Sequence, residues 1–141
     1  MTAGVDRLEG WRQAMAAAGL EADAVEHGDF TEASGETAAR ELMRRHPDLD
    51  GLVVASDLMA VGALRVLAEL GRRVPDDIAV VGFDDLGVSE RTTPPLTTVR
   101  QPVEEMAERA TRLLLERVDA ADGAHPMRLI IPPTVVRRAS A

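Results

Sequence analysis

Three polar clusters in this 141-residue chain follow extended runs and carry the residue types that can do chemistry: Gly28, Asp29 and Phe30, then Ser56 and Asp57, then Asp84 and Asp85. A carboxylate accepts hydrogen bonds from neighbouring hydroxyls, a small polar side chain adds another, and an aromatic face covers a C–H surface. Together they suit a sugar or similar polyhydroxy ligand. Taken singly, each residue has a plainer role: Asp57 as the N-cap of a helix, Asp85 as a turn residue, Phe30 as core and Ser56 as filler. Catalytic readings find less support. His27, His46 and His125 are far apart without paired-ligand spacing, so no metal site is expected. Strand-end aspartates hold magnesium in phosphoryl-transfer enzymes, but no GxxxxGK[ST] loop accompanies them, and the 16 basic residues are all Arg, so no lysine can assist. GxSxG is absent as well. Neither an enzyme nor a cofactor is expected.

Composition narrows the classes further. A net charge of −8 argues against the chain gripping nucleic acid, which needs a concentrated cationic face. One Trp, two Phe and no Tyr leave no platform for base stacking. The absence of cysteine excludes disulfides, thiol catalysis and Cys-bound zinc, and fits a reducing cytoplasm. No apolar run reaches membrane-spanning length, and residues 1–20 lack the basic head and apolar stretch of a signal peptide.

The elements that must position these clusters can be read from periodicity. Residues 3–20 carry Val5, Leu8, Trp11 and Met15 at helical spacing, with Gly19 as the stop. ADAVEH, residues 22–27, is a short strand candidate. Residues 31–47 read as a helix capped by Thr31. GLVVAS at 51–56 is a buried strand leading into a third helix closed by Gly71, and DDIAVVGFD at 76–84 is the next strand. LTTVRQ at 96–101 is another. Pro102 opens a fourth helix with Val103, Met106, Ala110, Leu113, Leu114 and Val118 along one stripe and Glu104 and Glu105 in its first turn. Two strand pieces flank Pro132 and Pro133 within 127–138. Strands apolar on both faces and alternating with helices predict an α/β fold, a parallel sheet covered on two sides to make three layers. Ligands of such sheets bind outside the carboxyl ends of the strands, where all three clusters lie. The third helix is apolar nearly all round, with only Arg65 and Glu69 as charges after its first residue. Such a helix must be buried on more than one side, which predicts a homodimer interface through Leu58, Met59, Val61, Ala63, Leu64 and Leu67. The pairs Arg44–Arg45, Arg72–Arg73 and Arg137–Arg138 stand at element ends as solvated or dipole-partnering charges.

VASDLMAVGALRVLAELGRRVPDDIAVVGFDD followed by TPPLTTVRQPVEEM closely resembles the sensor domain of LacI/GalR-type bacterial transcription repressors. RLEGWRQAMAAAGL and HGDFTEASG resemble further segments of that pattern, in the same order and spacing. The resemblance implies a periplasmic-binding-protein-like (type I) domain of two lobes with a small effector, a sugar or similar metabolite, in the cleft between them. It implies that Arg7 donates to effector oxygens, Phe30 stacks on the effector, and Asp84 accepts from it. Ser56 stands where the family often has Asn. It places residues 1–85 and about 127–138 in the C-terminal lobe, and about 94–121, LTTVRQ included, in the N-terminal one. The helix from Asp57 to Leu70 matches one used for dimerisation. The expected protein is a cytoplasmic homodimeric repressor without membrane contact, reaching DNA only through a helix-turn-helix missing from this chain. The chain reads as the C-terminal part of a sensor truncated at its N-terminus, expected to bind effector poorly alone. The alternative is a periplasmic sugar-binding protein of a transport system.

Overall fold

Residues 51–53 and 79–84 supply the two strands around which the computed structural model is built; it describes residues 2–119 and 130–141. The element order is α1 (Thr2–Ala17), α2 (Glu32–Arg45), β1 (Gly51–Val53), α3 (Asp57–Glu69), β2 (Ala79–Asp84), β3 (Thr97–Arg100), α4 (Val103–Asp119) and β4 (Thr134–Val136). One sheet takes the order β1-β2-β3-β4. β1 and β3 both run parallel to β2, and β4 joins the far edge antiparallel. The expected parallel sheet therefore carries one antiparallel edge strand, a common arrangement in α/β sheets.

β3 corrects the expectation that LTTVRQ lies in another lobe. Its register, Val81 opposite Thr97 through Asp84 opposite Arg100, makes it the direct neighbour of β2. The segment 22–27 forms no strand: a strand needs a ladder, and none reaches these residues among those described. Of the pieces expected around Pro132 and Pro133, only β4 is a strand; residues up to 129, His125 included, lie outside the described ones.

α3 lies between α2 and the sheet. Its inner side joins Leu52, Ile78, Val80 and Leu96 in the main core through Ala60, Leu64 and Leu67. Its outer side receives α2, whose Ala39 packs with Ala63 and Val66. Two glycines set how closely the helices cross. A Cβ on Gly62 would stand 2.1 Å from the Glu32 carbonyl oxygen, and one on Gly35 would stand 2.1 Å from that of Met59. This crossing gives α3 a second cover within the chain, so its apolarity alone does not call for a partner. Met59, Ala63, Leu64 and Leu67 are at most 7% exposed within the single chain. Of the six residues assigned to a dimer interface, only Leu58 and Val61 keep appreciable surface. The second cover for α3 is α2, whose own apolar face is thin in sequence because it rests on Gly35, Ala39 and Met43.

The last residues complete the sheet from below. Ser140 is fully buried. The Val80 amide donates to its carbonyl at 2.8 Å, and the Thr97 amide donates to its hydroxyl oxygen at 2.8 Å. That hydroxyl in turn donates to the Val80 carbonyl at 2.6 Å. α4, by contrast, leaves Val103, Met106, Leu114, Leu115 and Val118 exposed.

Candidate functional site

The carboxyl end of β2 turns sharply. Phe30, Asp84 and Asp85 have φ of 70°, 114° and 59°, a region that residues with a Cβ hold only when their surroundings fix them. All three belong to the clusters picked out by composition. At Phe30 the fixing is local. The Thr31 amide and hydroxyl donate to Asp29 Oδ1 at 3.1 and 2.6 Å, the Asp29 amide donates to Ser34 Oγ at 3.1 Å, and Thr31 caps α2 as expected. Bonds donated to the Asp29 carboxylate by the Thr31 hydroxyl, then the Ser34 hydroxyl and the Thr31 amide, hold it below its ordinary range.

Arg7 draws these pieces together. Its Nη2 donates to Asp84 Oδ1 at 3.1 Å, and its Nη1 donates to the Ala55 carbonyl. The guanidinium carbon lies 3.9 Å from the centre of the Phe83 ring and 5.6 Å from that of Phe30, within cation–π range of both. Gln101, just beyond β3, donates through Nε2 to the same Asp84 Oδ1 at 2.5 Å. Both bonds fall on Oδ1, which leaves Oδ2 to accept from a ligand hydroxyl. The pair is partly open to solvent, with side-chain exposures of 16% and 21%. One cation, one carboxylate, a carboxamide and two aromatic rings thus meet at the carboxyl end of the sheet. Such a set can hydrogen-bond and stack on a polyhydroxy ring without reacting with it.

Ser56 does not belong to this surface. It is 3% exposed, and its Oγ accepts the Met59 amide at 3.3 Å as the N-cap of α3. The cap assigned to Asp57 is thus made by Ser56, one residue earlier. Asp57 is fully buried, with Oδ1 accepting from Thr98 Oγ1 at 2.6 Å and Oδ2 from the Leu86 amide at 2.9 Å. Burial pushes its carboxyl up; the bonds from Thr98 and Leu86 oppose this without offsetting it, and the charges of Asp84 and Asp85 add to it.

Asp85 is more than a turn residue. It accepts from Arg138 Nη2 at 2.8 Å, Arg100 Nε at 2.5 Å and Ser89 Oγ at 3.1 Å. Burial alone raises its carboxyl, but these bonds and the Arg138 charge outweigh it and hold the group below the ordinary range. Arg138 is accordingly no solvated end charge: it also donates to the Leu96 carbonyl at 2.9 Å.

The site thus unites Arg7, Phe30 and Asp84 and excludes Ser56. Phe83 and Gln101 were missed by sequence reasoning. Phe83 could have been found as one of the chain's two Phe, directly before Asp84; Gln101 had no signal beyond its place after a strand. Among the described residues no three His, Asp or Glu side chains cluster as metal ligands, and no helix is long and apolar enough to span a membrane.

A parallel-dominated α/β sheet with a polar, aromatic-lined carboxyl end is the architecture of small-molecule binding lobes. The periplasmic binding protein-like domain pattern matches residues 2–141, and the chain belongs to that family, in the branch formed by the sensor domains of LacI-type regulators. It is 49% identical to the HTH-type transcriptional regulator CelR of Thermobifida fusca over 99% of this chain and 42% of that protein. It is 39% identical to the ribose operon repressor of Escherichia coli K12 over 96% of this chain and 41% of that protein. Among solved structures, a CelR–cellobiose complex superposes with a TM-score of 0.93 at 48% identity, covering 97% of this chain and 42% of that one. The Lac repressor bound to ONPG gives 0.84 at 32% identity over 96% and 40%. The chain therefore spans about two fifths of the length of these relatives.

Proposed function

We propose that this chain is the effector-binding part of a LacI-type transcription regulator and that its effector is a sugar contacted by Arg7, Phe30, Phe83, Asp84 and Gln101. The observation that carries the reading is the Arg7–Asp84 pair set between two aromatic rings at the carboxyl end of β2. Asp84 accepts from sugar hydroxyls, Arg7 donates to sugar oxygens, and the rings cover the C–H face. CelR, crystallised with cellobiose, makes that disaccharide the first compound to try. The relatives named as regulators favour this reading over a transport protein. Regulation then follows from differential binding: an effector that prefers one arrangement of the protein shifts its affinity for DNA by the same free energy. DNA contact belongs to a helix-turn-helix outside these residues, in a cytoplasmic homodimer. Residues 101–121 are assigned to a second lobe, which the exposed apolar residues of α4 support.

Because one wall of the cleft is expected to bind weakly by itself, cellobiose is titrated into the ¹⁵N-labelled chain to concentrations high enough for weak binding. The amides of Arg7, Phe30, Phe83, Asp84 and Gln101 are expected to shift together and saturably, and Asp84→Asn is expected to abolish the response. A response confined to other surfaces, or none with cellobiose, maltose and ribose, refutes it.

A further inference from the structure

Asp57 touches no part of the open surface, yet its two oxygens serve two different segments. Oδ1 accepts from Thr98 on β3, and Oδ2 accepts from the backbone of Leu86, the first residue after Asp84 and Asp85. Asp57 itself is the first residue of α3, so one carboxylate joins a helix start, a neighbouring strand and the outgoing end of the turn. Capping does not explain it, because Ser56 makes the cap. Stability does not explain it simply either, since burying a carboxylate beside two others is unfavourable unless it is well bonded. The chain also keeps room for it: a Cβ at position 82 would lie 2.4 Å from Oδ1, so only glycine admits the carboxylate there.

The turn so held is the strained one. Asp84 and Asp85 sit at φ of 114° and 59°, and a backbone of that kind relaxes when its anchors are cut. Upstream, Asp84 is fixed by its register with Arg100. Downstream, the Asp85 side chain is held by Arg100 and Arg138, and the first backbone anchor beyond β2 is the Leu86 amide, which Asp57 holds. We propose that Asp57 is the positioning residue of the strand-end site: by holding the Leu86 amide and Thr98 it sets the direction in which Asp84 presents its carboxylate to the effector. Its functional meaning rests on the effector reading of Asp84 given above.

Asp57→Asn removes one of the two good acceptors with little change of shape, since an amide has a single acceptor oxygen. Thr98→Val removes one donor at constant volume, and Thr98→Ser keeps that donor as the conservative control. Each variant of the 141-residue chain is compared with the parent in urea midpoint, Leu86 amide exchange, the resonances of Asp84 and Asp85, and cellobiose titration. In Asp57→Asn, Leu86 exchange is expected to accelerate, the Asp84 and Asp85 resonances to move, and cellobiose affinity to fall roughly tenfold, the scale of one buried bond lost. Thr98→Val should show the same changes in smaller measure, and Thr98→Ser should restore parental behaviour. Unchanged Asp84 and Asp85 resonances in folded Asp57→Asn overturn the proposal. So does a lowered urea midpoint with parental affinity in the folded protein, the mark of a merely structural role. Should Asp57→Asn not fold, Thr98→Val decides by the same criteria. If the parent gives no response to cellobiose, the effector reading fails separately, and Leu86 exchange with the two aspartate resonances still decides the positioning.

Discussion

Gly62→Ala puts the α2–α3 crossing to a quantitative test. The added methyl would stand 2.1 Å from the Glu32 carbonyl oxygen and 2.8 Å from the Glu36 amide nitrogen. Both obstacles are backbone, so no rotamer change relieves the overlap, and the helices must separate by about 1 Å or more to restore ordinary contact near 3.5 Å. Separation loosens the packing of Ala39, Ala63 and Val66, the small cluster between the helices. Overpacking of this kind costs about 3 kcal/mol, towards the upper end of its usual range. Replacing glycine by alanine inside a helix returns about 1 kcal/mol. The net expectation is a loss of about 2 kcal/mol, read as a fall of about 1 M in the urea midpoint at a slope of about 2 kcal/mol per molar. Gly10→Ala, where a Cβ meets nothing within 4 Å, isolates the propensity gain and should be neutral or stabilising. If Gly62→Ala behaves like Gly10→Ala, the crossing is not as tight as described, and the claim that α2 rather than a partner chain covers α3 loses its main support.

Asp85→Asn removes the charge that holds Arg100 and Arg138 and should destabilise the chain by about 2 kcal/mol near neutral pH, measured by urea denaturation. The folded Asp85 carboxyl is held below its unfolded range, so its contribution is present above the unfolded carboxylate range and disappears as pH falls through the lowered folded value. The variant should therefore differ less from the parent in acid than at pH 7; an equal difference throughout would assign the loss to shape rather than charge. Ser56→Ala should cost about 1 kcal/mol by removing the cap of α3 while leaving the cellobiose-induced amide shifts in place. Loss of those shifts would return Ser56 to the binding surface.

Much of this site could be read before any coordinates. Asp84 was conspicuous because it ends an apolar strand, Phe30 because aromatics are scarce, and Arg7 because the surrounding motif resembles a known sensor. What escaped was decided by pairing between distant segments. Nothing in LTTVR says which strand it lies beside, and the register with β2 emerges only when Thr97 meets Val81. The apolar circumference of α3 correctly required two covers, but the second proved to be α2, whose polar sequence hides the small residues that make the contact. Asp57 and Asp85 were given local roles because local roles are what neighbouring residues reveal. Their hydroxyl and guanidinium partners lie 41 and 53 positions away, at Thr98 and Arg138.

Ser140 has a consequence for how this fold can be assembled. Its carbonyl and hydroxyl satisfy amides at positions 80 and 97, inside the two central strands. Val80 and Thr97 lie 60 and 43 positions before Ser140, so a chain folding from its amino end leaves both amides without acceptors until that distant segment docks. The middle of the sheet is thus closed by long-range contact, and no amount of local folding around β2 and β3 completes it.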